Sequence, residues 1–195
     1  MIESPGFQHA LGAVLRHEGG YTEDHAGATN YGVSLRYLKT LKIDADGDGY
    51  QDGDLDRDGD IDADDIRGMS MADAARIYYT QWWARYEYGL LWNSGVATKV
   101  LDLSVNIGPK QCHRVLQRAI WGCGIQVEVD GALGPKTLAA ANRLPGLMLM
   151  VAIRTDAAAF YRGLADKNPD RFLKYLRGWL NRALDPKDFD EGRAG

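Results

Sequence analysis

The chain is expected to fold as an all-α protein, and three observations carry that prediction. Apolar residues recur at helical spacing along most of the 195 residues. Prolines fall at helix starts and glycines at helix stops. No stretch alternates apolar and polar residues convincingly enough to be a strand, so none is expected. Hydrophobic residues make up 45% of the chain, enough for one compact domain or two small ones with a sizeable core.

The elements follow in order. Ser4-Pro5 combines a capping hydroxyl with proline at the first helical position. Phe7, Leu11, Val14 and Leu15 recur behind it, and Gly19-Gly20 ends that helix. Ser34 can cap a short helix carrying Leu35, Leu38 and Leu41. Residues 44–65 break the pattern, being rich in aspartate and glycine and lacking a hydrophobic face. Ser70 with Asp73 opens a long helix to about Tyr86, with Met71, Ala75, Tyr78, Trp82 and Tyr86 as its apolar positions. Another runs from about Ser94 to Asn106 and stops at Gly108. Pro109 starts the next, with Cys112, Val115, Leu116, Ala119 and Ile120 inward. Pro135 starts a short helix after the turn from Gly131 to Gly134, and a long apolar helix covers about 145–166. Pro169 opens the last, which contains Phe172, Leu173, Leu176 and Leu180. Residues 186–195 read as a polar, frayed tail.

The charge is segregated. Residues 44–65 hold eleven aspartates against the single base Arg57, so the rest of the chain carries a net +6 within a total of −4. A mildly basic body suits an anionic polymer such as the bacterial wall. No basic stripe with interleaved aromatics points to nucleic acid. No apolar run reaches membrane-span length, and the N-terminus lacks the basic start and apolar stretch of a secretory signal. Cys112 and Cys123 are too few for a disulfide framework; a pair is geometrically possible, and two free thiols are the preferred reading.

Glu18 carries the chemistry. It sits where the first helix stops, ahead of Gly19-Gly20-Tyr21, near the negative end of the helix dipole. That field, with partial burial, favours the proton-bearing form that a general acid for a glycosidic oxygen needs. Asp24 and Thr29-Asn30-Tyr31-Gly32 follow. The Glu18-Gly19-Gly20-Tyr21 and Thr29-Asn30-Tyr31-Gly32 elements, with Asp102-Leu103-Ser104-Val105-Asn106-Ile107-Gly108, resemble those of glycoside hydrolase family 108, N-acetylmuramidases that cut bacterial peptidoglycan. Val129-Asp130-Gly131-Ala132-Leu133-Gly134-Pro135-Lys136-Thr137 and Gly178-Trp179-Leu180-Asn181-Arg182 resemble the peptidoglycan-binding module attached to that family.

The resemblance covers nearly all of the chain except 44–65 and the tail. It implies a lysozyme-like catalytic lobe over 1–108, packed on a peptidoglycan-binding helical lobe over 109–185. The implied reaction is hydrolysis of the β-1,4 bond between N-acetylmuramic acid and N-acetylglucosamine, with Glu18 as general acid. Asp24 or Thr29 would stabilise the cationic state or activate water, and the sequence leaves that choice open. Asn30 and Tyr31 are expected to line the cleft. Of the adjacent Trp82 and Trp83 one belongs to the core, and Trp83 is the candidate sugar platform. Asp102 and Asn106 share a helix face, placed to hold substrate or to brace the Glu18 loop.

Residues 44–65 depart from the family. Asp54, Asp56, Asp58, Asp62 and Asp65 fall at positions one, three, five, nine and twelve of a calcium-loop template, with Gly59 at six and the carbonyl of Asp60 as another ligand. Aspartate replaces the usual terminal glutamate, as in dockerin-like loops. Asp44, Asp46, Asp48, Asp52 and the carbonyl of Tyr50 make a second, looser site that meets Leu55 at position twelve. Oxygen ligands alone favour Ca²⁺ as the cofactor.

Together these readings predict a monomeric phage or prophage endolysin acting on peptidoglycan. It would be held in the host cytoplasm until holin-type release and then act at the periplasm and cell wall. A secreted antibacterial muramidase and a catalytically inert, calcium-dependent wall-binding or docking protein are the competing readings.

Overall fold

The computed structural model describes residues 1–24, 27–45 and 47–186, with Asp24 described by its backbone alone. The expected ligand Asp46 and the tail from 187 onward lie outside the described residues. The protein is mostly helical and lysozyme-like, and it divides into two compact units. One is Leu15–Tyr78; the other joins Met1–Val14 to the chain from Tyr79 onward.

In the 15–78 unit the expectation of no strands is corrected. An antiparallel sheet, β1 (Thr22–Asp24), β2 (Gly27–Asn30) and β3 (Val33–Ser34), lies in the order β1-β2-β3. Strands of three, four and two residues are too short and too polar to display alternation. Turn geometry holds them instead. Asn30 pairs with Val33 across a two-residue loop, Tyr31-Gly32, whose φ angles are 48° and 79°. Two consecutive positive φ values are the primed hairpin turn whose twist matches that of the flanking strands.

Ser34 caps α2 (Leu35–Leu38), its Oγ accepting from Tyr37 N at 3.2 Å. A second unexpected element, α3 (Ala63–Gly68), rises from the end of the acidic stretch. Asp62 and Asp65 make a reciprocal capping box there, so aspartates that the sequence offers as metal ligands also start a helix. Asn30 ties the sheet to α3 by donating to Ile66 O at 3.1 Å. The expected capping pair Ser70 and Asp73 opens α4 (Met71–Tyr78), with Asp73 N donating to Ser70 Oγ at 3.2 Å.

The long helix expected to Tyr86 ends as α-helix at Tyr78 and continues as a π-helical turn over Tyr79–Ala84. Met71 is 57% exposed, while Ala75 and Tyr78 face inward as expected, joined by Ala74 and Ile77. Each π turn advances the chain by an extra residue, so the 3.6-residue register cannot be extrapolated through it.

In the other unit α1 (Pro5–His17) contributes its N-terminal part, with Phe7 edge-on to Tyr79 at 5.2 Å and to Trp83 at 5.6 Å. α5 (Ser94–Ile107) is buried on nearly every side, as a central helix must be. α6 (Pro109–Gly122), α7 (Pro135–Asn142), α8 (Gly146–Lys167) and α9 (Pro169–Leu184) complete it. α5 packs on α6 and α8, and α8 packs on α9. All five apolar positions expected inward on α6 are buried, whereas Leu173 of α9 is exposed. Cys112 is buried and Cys123 partly buried, both as free thiols. No single helix among the described residues is long and apolar enough to cross a membrane.

Candidate active site

Glu18 follows the last residue of α1 and is partly buried. Its side chain lies directly on Gly32. A Cβ at Gly32 would fall 2.5 Å from Glu18 Cγ, 2.8 Å from Glu18 Cδ and 2.6 Å from the Tyr78 hydroxyl oxygen. That hydroxyl donates to Tyr31 O at 2.8 Å, clamping the hairpin apex in its left-handed conformation. The hairpin is therefore shaped so that a glycine surface receives the carboxyl-bearing side chain, with a buried tyrosine hydroxyl beside it. Helix end, hairpin and α4 each supply one part, and all lie within the 15–78 unit.

The other expected site residues fall in different places. Thr29 is partly buried in the central strand, paired with Thr22 on one side and Ser34 on the other. Asp24 ends β1 opposite Gly27. Tyr31 occupies the hairpin apex, next to the glycine that carries Glu18. Asn30 is buried, and its amide is spent on Ile66 O, which makes it a brace between β2 and α3 rather than a cleft-lining donor.

Trp83 is 8% exposed and sits among Phe7 and Tyr88, so the sugar-platform expectation is corrected: its indole is core. Asp102 is corrected likewise, whereas Asn106 stays exposed on α5 with its oxygen engaged. Asp102 and Lys99 are 0% exposed, and Asp102 Oδ1 accepts from Arg182 Nε at 2.9 Å. Lys99 Nζ donates to Arg182 O at 2.7 Å. Asn106 Oδ1 accepts from Tyr161 at 2.6 Å. These groups cross-link α5 with α8 and α9. Removing one member of such a cluster leaves an uncompensated buried charge and costs about 3–5 kcal/mol.

Reasoning from sequence missed Gly32 and Tyr78 as positioning residues. The one available signal was Gly32 within the Thr29-Asn30-Tyr31-Gly32 element; Tyr78 reads only as an apolar helix position.

The acidic stretch folds as two loops with one hydrogen-bond scheme. Asp44 Oδ2 accepts from Gly49 N at 3.0 Å, and Asp54 Oδ2 accepts from Gly59 N at 3.0 Å. Arg57 pairs with Asp48 at 2.8 Å and joins the loops. Asp54 is buried and Asp65 is 1% exposed. Carboxylate oxygens of Asp54, Asp56 and Asp65 lie within 4.8 Å of one another, as do those of Asp60, Asp62 and Asp65. Desolvation, then the neighbouring Asp58 charge, pushes the Asp56 carboxyl above its ordinary range. The Asp58 charge, then desolvation, does the same to Asp60. Asp65 Oδ1 accepts from Leu55 N at 2.6 Å and Oδ2 from Asp62 N at 2.7 Å, closing the second loop end to end.

A partly buried glutamate at a helix end thus lies on a hairpin glycine in a mostly helical, lysozyme-like body. Residues 11–108 match the family model described as glycosyl hydrolase 108, and the chain belongs to that family. Residues 111–184 match a domain described as a predicted peptidoglycan domain. The protein is thus a glycosidase of muramidase type with a peptidoglycan-binding domain. Among solved structures it is similar in fold to Brucella abortus SagA, with 23% identity, a TM-score of 0.64, and coverage of 95% of this chain and 97% of that one. No curated protein matches the sequence.

Proposed function

We propose that the protein is an N-acetylmuramidase that hydrolyses the β-1,4 bond between N-acetylmuramic acid and N-acetylglucosamine, with Glu18 as general acid. The observation that carries this is the seating of the Glu18 side chain on Gly32 beside the Tyr78 hydroxyl, inside the segment matched to a glycosyl hydrolase family. Glu18 protonates the leaving oxygen as positive charge develops on the sugar. Asp24 and Thr29, on the neighbouring strands, are the candidates for stabilising that charge or orienting water.

Mass spectrometry of fragments released from purified peptidoglycan tests the bond: N-acetylmuramic acid at the new reducing end is expected, and N-acetylglucosamine there overturns the assignment. Glu18→Gln is expected to fold normally and to lose on the order of 10²–10⁴ in rate. Lysis by that variant at about a tenth of the parent rate or more removes Glu18 from its role.

The reading extends to two further points. The acidic loops bind Ca²⁺, the second through Asp54, Asp56, Asp58, Asp62, Asp65 and the carbonyl of Asp60; the mutual approach of Asp54, Asp56 and Asp65 supports this. The biological role is that of an endolysin, made in the host cytoplasm and reaching the wall after membrane permeabilisation. The pairing of a glycosidase family with a peptidoglycan domain in one chain supports it. Cytoplasmic expression should then be harmless until a pore former is added; lysis without one argues against it.

A further inference from the structure

The acidic segment is built into the support of the Glu18 seat. Its midpoint is fixed to α2 and the residues after it. Gly53 N donates to Leu41 O at 3.0 Å, and a Cβ at Gly53 would fall 2.5 Å from Leu38 O. α2 follows β3 directly. The segment then runs into α3, which starts at the Asp62–Asp65 capping box, Asp62 Oδ1 accepting from Asp64 N at 2.6 Å. Asp65 Oδ1 also accepts from Leu55 N and Asp56 N, so the second loop cannot open without disturbing the first turn of α3.

α3 in turn holds the hairpin. Asn30 is buried and donates to Ile66 O at 3.1 Å and to Met69 O at 3.5 Å. A second tie joins Arg67 to Glu23 of β1 at 3.8 Å, and the same Glu23 carboxylate accepts from the Tyr21 hydroxyl at 2.6 Å. That pair is exposed and contributes little, so Asn30 carries the attachment. Gly32, on which Glu18 rests, stands two residues beyond Asn30. All of these residues belong to the 15–78 unit.

We infer that Asn30 is a positioning residue for the general acid, and that through it the order of the acidic loop sets the geometry of Glu18. This rests on the reading that Glu18 is the acid, and it holds whatever occupies the loop. If α3 loses its start, Ile66 O leaves its place. The Asn30 amide must then follow it or stay unpaired where it is buried, and an unpaired buried donor is costly. Neither outcome keeps Gly32 under Glu18. Displacing a reacting group by about 1 Å costs on the order of 10²-fold in rate.

The test uses the full chain, at a temperature where circular dichroism shows every variant folded. Asn30→Ala breaks the link at the hairpin, and Asp62→Ala breaks it at the start of α3. Each should lower kcat by about tenfold or more while KM stays within about twofold, the sign of an interaction made in the transition state. Asp62→Ser, which restores a capping oxygen, should return most of the lost rate. Amide hydrogen exchange over residues 30–34 should quicken by about tenfold in both alanine variants. Ile153→Ala, a core truncation in the other unit, is the control for general destabilisation and should quicken neither that segment nor lower kcat. The double variant Asn30→Ala with Asp62→Ala should lose little more than the worse single one, because both break one route.

Faster exchange over residues 55–62 in Asp62→Ala, with kcat and hairpin exchange at parent values, overturns the coupling. So does a double variant whose losses multiply, or an Ile153→Ala variant that loosens the hairpin equally. Undiminished hydrolysis by Glu18→Gln removes the acid reading alone, since hairpin exchange still shows whether the loop and the Gly32 seat are linked.

Discussion

Tyr31 and Gly32 hold consecutive φ values of 48° and 79°, and a tyrosine in that region is unfavourable on its own. The hydrogen bond from Tyr78 to Tyr31 O offsets the strain, and the result is a glycine surface facing Glu18. Gly32→Ala is therefore expected to act twice. The positive φ costs about 1 kcal/mol or more, and the added Cβ collides with Glu18 Cγ. A lower melting temperature and a loss of about tenfold or more in hydrolysis should follow. Gly32→Asn separates the two effects, because asparagine tolerates the left-handed region but carries the same Cβ. It should recover the part of the stability loss that comes from φ and none of the activity; recovery of full activity would show that contact with Glu18 is not what Gly32 protects.

At the scale of elements, α6 is held to the α7 approach loop through His113. The Nδ1 atom faces Gly131 O and so must donate, which leaves Nε2 to accept from the Tyr88 hydroxyl at 3.0 Å. The neutral ring satisfies both partners. Burial lowers the His113 pKa from its ordinary 6.5, against the opposing influence of Gly131 O and Asp130. The unfolded chain then binds a proton that the folded chain refuses. The contribution to stability is complete above about pH 6.5 and is lost as pH falls below that, toward the lowered folded value. Urea midpoints of the parent should drop between about pH 7.5 and pH 5, while His113→Gln, less stable at the outset, should drop less. Equal drops would mean that His113 is not the titrating group.

The element scale also shows where sequence periodicity loses its hold. The pattern locates α6 and its buried face because a single amphipathic stripe runs through it unbroken. It fails across Tyr79–Ala84, where π turns shift the register and bring Trp83 into the core. It fails at β1–β3 because short polar strands are held by turns and neighbours rather than by their own alternation.

For the molecule as a whole, the dominant electrostatic fact is the concentration of eleven aspartates in residues 44–65. Several of their carboxylates are held close together, and the Asp56 and Asp60 carboxyls are pushed up by that crowding and by desolvation. A divalent cation relieves the repulsion. The melting temperature is expected to rise with calcium and fall with chelator, by about 2.7 kcal/mol of added stability at a hundredfold excess over Kd. Asp58→Ala should remove most of that shift. Neither heat nor thermal shift in a calorimetric titration of metal-stripped protein at millimolar calcium would reduce the segment to an acidic spacer.

The sequence by itself determined the helical class, the starts and stops of most helices, the acidic insert and the candidate acid Glu18. Each of these rests on local chemistry: proline, glycine, capping side chains, apolar spacing and motif spacing. The tertiary structure alone decided which polar residues the protein spends on itself. Asp102, Asn106 and Asn30 look available in sequence, yet Arg182, Tyr161 and Ile66 O each engage one of their polar atoms across gaps of 80, 55 and 36 residues. Trp83 was assigned to the core by a π turn, and Gly32 became the seat of Glu18, 14 positions away, in a hairpin clamped by Tyr78 across 47 positions, which no local pattern records. A side chain's type announces what chemistry it can perform, but whether it meets solvent, substrate or another side chain depends on partners distant in the chain.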